Sequence, residues 1–150
     1  MYQLLLQSPV GPLTLSGTAE AVTALAFGAG PGAGTCPLLE EAARELEEYF
    51  QGRRQVFTVP LAPAGTPFQQ RVWAELQKIP FGATASYGEI AARIGNPRAC
   101  RAVGMANHHN PIAIFIPCHR VVGGGGGLVG YAGGLDVKRA LLELEGISLR

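Results

Sequence analysis

A cysteine followed directly by a histidine, Cys118-His119, is the pair of side chains in this sequence best suited to covalent chemistry. A thiolate is a strong nucleophile, and an adjacent base is what usually activates it. If the segment is extended, the two neighbours point to opposite faces, so a bridging water or a kink at Pro117 is needed to pass a proton between them. The opposing interpretation is a buried core cysteine beside a surface histidine, and the spacing alone does not separate the two.

A histidine that acts as a base is usually oriented by a third group, most often a carboxylate. Glu145, at the end of the last predicted helix, is a candidate, although the sequence alone does not select it. His108 and His109 add two imidazoles, but adjacent histidines rarely reach one tetrahedral centre and no spacing here matches a zinc pattern. We therefore expect no metal site.

The segments on either side of the cysteine predict a rigid support and a loop. Residues 111–116 are apolar and rich in β-branched side chains, so we expect a short buried strand there. Residues 123–127 are five consecutive glycines, which predict local flexibility. This arrangement is typical of a reactive group presented beside a ligand pocket.

The composition predicts a globular chain of one domain or two small ones. It has 150 residues, of which 47% are hydrophobic, and a formal net charge of +1. No apolar run is long enough to span a membrane, and the N-terminus lacks the features of a secretory signal. Three widely spaced cysteines without a Cys-x-x-Cys pair favour reduced thiols. We expect a cytoplasmic protein.

The charge is divided unevenly along the chain. Residues 1–65 hold three arginines and six glutamates, a balance of −3, whereas residues 66–150 hold nine basic and five acidic side chains, a balance of +4. The basic excess of the second part suggests an anionic partner.

The first 65 residues predict a small α/β unit without evident chemistry. Alternating apolar residues predict strands at 2–7, 12–16, 21–27 and 54–61. Pro37 opens a helix to about Gln51, with one apolar and one glutamate-rich face. The Pro- and Ala-rich stretch 60–65 is the expected domain boundary.

The remainder predicts four helices with recognisable starts. Capping boxes at Thr66 and Ser86 open helices to about Lys78 and Ile94. Asn96-Pro97 is expected to cap a helix to about residue 107, and Asp136 a last helix at 137–145. The two middle helices, joined by a tight Gly-Asn turn, fit a helix-turn-helix, although many helical hairpins never touch DNA.

The heptapeptide from Ile116 to Val122, IPCHRVV, resembles the active-site motif of the O6-alkylguanine-DNA alkyltransferases, also called methylated-DNA–protein-cysteine methyltransferases. The resemblance runs from about Phe68 to the C-terminus, with SYGEIA from Ser86, NPRACRAVG from Asn96 and GYAGGL from Gly130. It implies an α/β (α+β) fold. A ribonuclease H-like support domain would span 1–65, and a mostly helical, winged-helix-like domain for DNA binding and alkyl transfer would span 66–150, with a short active-site strand.

The resemblance also implies a role for each matched residue. Cys118 would be the alkyl acceptor, and His119 would deprotonate it through a water. Glu145 would orient His119, and Asn110 would brace the turn beside the cysteine. Tyr87 would help to rotate the nucleotide out of the duplex and would donate a proton toward the leaving guanine.

Contacts with DNA and with the base are implied in the same way. Arg101 would fill the space left in the duplex, from a helix that lies in the minor groove. The other implied DNA contacts are Tyr87, Ser86, Arg98, Ala99 and Ala102. The implied pocket for the alkylated base consists of Tyr131, Ala132, Gly133, Val121, Ala113 and Met105.

The implied reaction is the direct repair of DNA. A soft thiolate attacks the alkyl carbon on guanine O6 after the base has been flipped out of the stack, which costs about a few kcal/mol. The thioether product is not hydrolysed, so each molecule acts once. The implied partner is double-stranded DNA that contains O6-alkylguanine, with O4-alkylthymine left open. The resemblance implies no cofactor, no metal and no membrane, and we expect a monomer.

The sequence departs from the family pattern in the pocket. Ala132 stands where many members have a serine that bonds the base, and Ala113 replaces a proline that lines the pocket in some members. Gly133 is retained, which suggests room for groups bulkier than methyl. The alternative function is a binding module, a lesion sensor or helix-turn-helix protein with an inert cysteine. Relatives that only bind lesions lack the cysteine, so Cys118 favours the enzyme.

Overall fold

The computed structural model describes residues 1–30, 32–123, 131 and 133–147, and this part of the chain has a mixed α/β fold, as predicted. The chain divides into two compact units. One unit comprises Met1–Ala64 with Pro111–Ala113, and the other comprises Gly65–Asn110 with Ile114–Arg150. Of the helices described, none is both long and apolar enough to cross a lipid bilayer.

The first unit contains a three-stranded antiparallel sheet. Its strands β1 (Tyr2–Leu6), β2 (Leu13–Gly17) and β3 (Val22–Phe27) lie in sequence order, with β2 in the centre. One helix, α1 (Pro37–Phe50), packs against this sheet. Its apolar face is fully buried, as the helical spacing predicts, through Leu39, Ala42, Leu46 and Tyr49. The three predicted strands and the helix are confirmed.

The strand predicted at 54–61 is wrong. The segment is irregular, and Leu61 alone makes an isolated parallel bridge, to Val22. The cause is a buried carboxylate, since Glu45 accepts hydrogen bonds from the backbone N–H groups of Thr58, at 2.9 Å, and Val59, at 3.3 Å. These donors are therefore used by a side chain and not by a strand ladder.

The second unit is mainly helical. Its helices are α2 (Pro67–Leu76), α3 (Tyr87–Arg93), α4 (Cys100–His108) and α5 (Leu135–Leu144). Two short strands, β4 (Ala85–Ser86) and β5 (Val121–Val122), pair in parallel. Both predicted capping boxes are confirmed, with Thr66 and Ser86 as the N-caps of α2 and α3. The tandem helices α3 and α4 pack on each other.

Two helices begin elsewhere than predicted. The carbonyl of Asn96 accepts from the N–H of Ala99 at 3.0 Å, so Pro97 lies in a tight turn and α4 begins only at Cys100. The last helix, α5, begins at Leu135 and not after Asp136. Its N-cap is Gly134. The φ of this residue is 96°, a conformation that favours glycine, and it lets the chain turn sharply at the start of the helix.

The strand predicted at 111–116 is also wrong. Within the first unit Ile112 makes an isolated bridge to Leu25, and the chain then turns at residues 114–115. Ile114 has a φ of 72°, which a β-branched residue rarely adopts. The side-chain amide of Asn110 donates to the carbonyl of Ile116 at 2.8 Å, and this bond closes a loop where a straight strand was expected. The short strand of this region is β5, which follows the cysteine.

Candidate active site

Cys118 begins a single turn of 3-10 helix, Cys118–Arg120, which directly precedes β5. Its side chain is buried, with the residue 5% exposed. Because such a turn has three residues per revolution, successive side chains diverge by about 120°. The segment is therefore not extended, and Cys118 and His119 do not point to opposite faces of a strand.

The structure brings His119 and Glu145 together. Nε2 of His119 lies 2.6 Å from Oε2 of Glu145, and both side chains are fully buried. Glu145 is the C-cap of α5, and its Oε1 also accepts from the backbone N–H of Gly82 at 3.3 Å. The carboxylate is thus held on both oxygens, which fixes the direction of its bond to the imidazole.

Arg120 holds the same carboxylate, a contact that the sequence analysis missed. Its Nε donates to Oε1 of Glu145 at 2.8 Å, and a terminal guanidinium nitrogen donates to Oε2 at 3.1 Å. The other terminal nitrogen donates to the carbonyl of Ile79 at 2.7 Å. A two-point guanidinium–carboxylate contact of this kind fixes the plane of the carboxylate.

His119 is suited to accept a proton. Burial lowers the pKa of its imidazole below the usual range, against the opposing influence of the Glu145 hydrogen bond and charge. A neutral imidazole that donates from Nε2 has its lone pair on Nδ1. Nδ1 is buried and makes no hydrogen bond to the residues described.

The surroundings of Cys118 favour the thiol over the thiolate. Burial raises the pKa of the thiol above its usual range. A hydrogen bond from Asn110, the charge of Lys138 and a hydrogen bond from Tyr131 lower the pKa but do not outweigh burial. The cysteine therefore needs a base before it can act as a nucleophile.

Lys138 lies beside the thiol and is fully buried. Its ammonium donates to the carbonyl of Val121 at 2.7 Å. Burial lowers the pKa of Lys138 to about 8, and the negative charge of a Cys118 thiolate opposes that shift. A cation in this position stabilises the thiolate more than the thiol.

The sequence analysis assigns Lys138 no role, although a signal for its burial exists. Lys138, Leu141 and Leu142 are spaced at i, i+3 and i+4, which is the spacing of one helix face. All three are buried, and Glu145 continues the same face at i+7. A charged residue on an apolar face of this kind indicates a buried polar partner.

Tyr87 is half-buried in the first turn of α3. Burial raises the pKa of its hydroxyl, and the charge of a Cys118 thiolate raises it further. A hydrogen bond from the side-chain amide of Asn107, a second residue that the sequence analysis missed, lowers it. The hydroxyl of Tyr87 therefore lies close enough to the sulfur of Cys118 for the two groups to influence each other's ionisation.

The residues predicted to contact DNA lie on α4 and at the two helix starts. Arg101 and Ala102 are exposed on α4, and Arg98 is exposed in the turn before it. Ala99, the N-cap of α4, is partly exposed. Ser86 also caps α3, because its hydroxyl accepts a hydrogen bond from the backbone N–H of Glu89 at 3.1 Å.

The residues predicted to line the base pocket differ in their surroundings. Tyr131 and Val121 contact Cys118 and Lys138 respectively, and Gly133 is partly exposed. Met105 is 58% exposed on α4. Ala113 is buried and belongs to the first unit. Ala132 lies outside the described residues.

Nothing in the described ranges resembles a metal centre. Across residues 1–30, 32–123, 131 and 133–147, no group of three or more histidine, cysteine, aspartate or glutamate side chains is arranged to hold a metal ion. His108 and His109 are exposed at the end of α4, with their rings 5.5 Å apart.

Models of two protein-family domains match most of the chain. The DNA-binding domain of 6-O-methylguanine DNA methyltransferase matches residues 67–147. The ribonuclease-like domain of the same protein matches residues 1–63. Together the two matches cover most of both compact units and every residue of the His119–Glu145 network.

Individual relatives agree with these matches. The chain is 50% identical to the methylated-DNA–protein-cysteine methyltransferase of Methanosarcina acetivorans, over 97% of this chain and 99% of the relative. It is 50% identical to that of Mycobacterium tuberculosis, over 93% of this chain and 89% of the relative. The crystal structure of the Mycobacterium tuberculosis OGT in complex with DNA is 51% identical and superimposes with a TM-score of 0.87, covering 94% of this chain and 90% of that one. The chain therefore belongs to the 6-O-methylguanine DNA methyltransferase family.

Proposed function

We propose that this protein repairs alkylated DNA by transferring the alkyl group from guanine O6 to Cys118, once per molecule. The observation that carries the proposal is a buried thiol in the same helical turn as an imidazole whose Nε2 is bonded to Glu145 and whose Nδ1 is unbonded within the described residues. A neutral imidazole with one oriented donor and one open lone pair is the arrangement that a general base requires.

The first step is the activation of the thiol. His119 takes the proton of Cys118 on Nδ1 through a water, and the Glu145 carboxylate stabilises the imidazolium that results. The ammonium of Lys138 stabilises the thiolate. Since Arg120 keeps Glu145 in place, the base stays oriented while its charge changes.

The second step is the transfer itself. The thiolate attacks the alkyl carbon, the carbon–oxygen bond to the base breaks, and a carbon–sulfur bond forms. The bonding electrons remain with the base, which becomes guanine by accepting the proton of the Tyr87 hydroxyl. The thioether has no activated carbonyl for water to attack, so the protein is consumed.

DNA binding is assigned to the helical unit. Arg101 and Arg98 supply positive charge, and the small residues Ala99 and Ala102 allow close approach to the sugar–phosphate backbone. Arg101 then takes the place of the extruded nucleotide, which offsets part of the cost of unstacking. The substrate is double-stranded DNA that contains O6-alkylguanine, and O4-alkylthymine remains a second substrate to be tested.

Two properties complete the proposal. The protein acts as a monomer, since one described unit holds the thiol, the base and the proposed proton donor. Its three cysteines are free thiols, which suits a reducing compartment that also contains DNA, and we therefore assign it to the cytoplasm.

A comparison of binding and transfer separates the enzyme from the lesion sensor. The Cys118→Ala variant should keep its affinity for a duplex with O6-methylguanine and lose all transfer, because the exposed surface of α4 is unchanged. Cys100→Ala, at an exposed thiol, is the matched control and should retain both activities. Equal transfer by Cys118→Ala and by the wild type would disprove the assignment of the acceptor. Loss of binding in Cys118→Ala would show that the cysteine is a structural residue.

A further inference from the structure

Asn107 is a buried amide in the last turn of α4, and the reaction described above does not use it. The residue is 5% exposed. Its Nδ2 donates to the backbone carbonyl of Cys118 at 3.4 Å. Its Oδ1 is also buried and has no hydrogen-bond partner in the described part of the chain. One end of this side chain therefore touches the residue that carries the nucleophile.

The same amide meets Tyr87. A methyl group at Gly104 would lie 3.9 Å from Cε1 of Tyr87, so the phenol ring lies against α4 at this glycine. Asn107 follows Gly104 by three residues and occupies the same face of the helix. Its side-chain amide lies near enough to the hydroxyl of Tyr87 to lower the pKa of that hydroxyl, as a nearby donor does. Gly104 thus makes room for the ring, and Asn107 lies on the same face of the helix, near the hydroxyl.

We propose that Asn107 is a positioning residue for the transfer: its amide holds the hydroxyl of Tyr87 at a fixed place relative to Cys118 and stabilises the phenolate that forms there. The inference rests on the proposed function, because it assumes that Tyr87 protonates the leaving base. It adds a residue that links the proton donor to the turn that carries the nucleophile.

The movement of protons during the transfer shows at which step the amide of Asn107 acts. As the carbon–oxygen bond breaks, the base keeps the electron pair and takes the proton of Tyr87, which leaves a phenolate. The N–H of Asn107 donates to that phenolate oxygen more strongly than to the neutral hydroxyl, since a hydrogen bond to an ionised acceptor is the stronger one. The phenolate then recovers, through solvent, the proton that His119 removed from Cys118. The net change is the exchange of an alkyl group and a proton between cysteine and base.

A purely structural role does not account for this side chain. A buried amide that serves only folding has both of its ends bonded, because an unpaired acceptor destabilises the folded state. Leucine has nearly the same shape, fills the same space and carries no acceptor. The amide is therefore best explained by its position, bonded to the carbonyl of Cys118 and close enough to the hydroxyl of Tyr87 to lower its pKa.

Two alkyl donors distinguish positioning from packing. Free O6-benzylguanine releases a base that must be protonated, whereas methyl iodide releases iodide, which needs no proton. Asn107→Leu should slow transfer from benzylguanine by about 10- to 100-fold, the range expected for a lost hydrogen bond to a charged group. Its rate of methylation by methyl iodide should equal that of the wild type. Asn96→Leu, at an exposed asparagine before α4, is the matched control and should react normally with both donors.

A double-mutant cycle with Tyr87→Phe completes the test. Since Asn107 acts through the hydroxyl, Asn107→Leu should have no further effect on the benzylguanine rate in the Tyr87→Phe background. If Asn107→Leu does not fold, Asn107→Ala replaces it in both measurements. An equal loss with both donors, a full additional loss in the Tyr87→Phe background, or an unchanged benzylguanine rate would each overturn the inference. A wild type that takes no alkyl group from benzylguanine or from a methylated duplex would overturn the proposed function as well.

Discussion

The imidazole of His119 and the carboxylate of Glu145 meet at 2.6 Å with both side chains fully buried. Burial strengthens the contact, because no water competes for either partner. The bond makes Nε2 the donor and leaves Nδ1 as the site that can take a proton. The orientation of the base therefore depends on a residue 26 positions away in the sequence.

Replacement of the carboxylate should slow the transfer without preventing DNA binding. Glu145→Gln keeps the shape of the side chain but removes the charge that stabilises the imidazolium. We expect transfer from O6-methylguanine to be slower by about 10- to 100-fold, measured under single-turnover conditions. Glu143→Gln, at an exposed carboxylate on the same helix, is the control and should behave as the wild type. Unchanged transfer in Glu145→Gln would show that His119 does not need an anionic partner.

Removal of Arg120 should destabilise the fold. Arg120→Met leaves the buried Glu145 carboxylate without its guanidinium, and we expect a loss of about 3–5 kcal/mol in the free energy of unfolding, measured with urea. The double variant Arg120→Met, Glu145→Leu removes both charges and should be more stable than the single one. If the double variant is less stable than Arg120→Met, the pair does not behave as a buried ion pair.

The pH dependence of thiol labelling should report the environment of Cys118. Its pKa is raised by burial, so the thiolate should form at a higher pH in the folded protein than in the unfolded chain. A Cys36→Ala, Cys100→Ala variant has Cys118 as its only thiol. The rate of reaction with iodoacetamide should have its midpoint at higher pH without urea than in urea. A midpoint that is lower in the folded protein would mean that the nearby donors and Lys138 outweigh burial.

Lys138 should make stability depend on pH in a defined interval. Its pKa falls from 10.5 to about 8 on folding, so between these values the unfolded chain binds a proton that the folded protein has released. The free energy of unfolding should therefore increase with pH for the wild type relative to Lys138→Met across this interval. Urea unfolding at several pH values measures the difference between the two proteins. Lys78→Met, at an exposed lysine of the same unit, is the control, and a difference that stays constant with pH for Lys138→Met would contradict the prediction.

Elements that depend on local chemistry could be predicted from the sequence. The strands β1 to β3 follow from alternation, and α2 and α3 follow from capping boxes formed by residues three positions apart. The errors have long-range causes. A strand was expected at 54–61, but backbone N–H groups of this segment donate to the buried carboxylate of Glu45. No local sequence pattern predicts that contact.

The same difference between local and long-range causes applies to the candidate site. The Cys118-His119 pair is local and belongs to a specific motif, whereas the partners that set its chemistry come from distant positions. Arg120 reaches Ile79 across 41 positions, and Lys138 reaches Val121 across 17. Buried polar residues of this kind follow from tertiary packing, which single-residue patterns do not encode. Their roles in the reaction remain predictions until they are tested.

The mass of the intact protein after reaction tests the central claim most directly. The wild-type chain is incubated with excess duplex DNA that contains one O6-methylguanine, its mass is measured, and the modified peptide is sequenced. The account predicts one added methyl group per molecule, located on Cys118, with guanine restored in the DNA and no further turnover. An unmodified protein that still binds the methylated duplex, or a methyl group on Cys36 or Cys100, would contradict it.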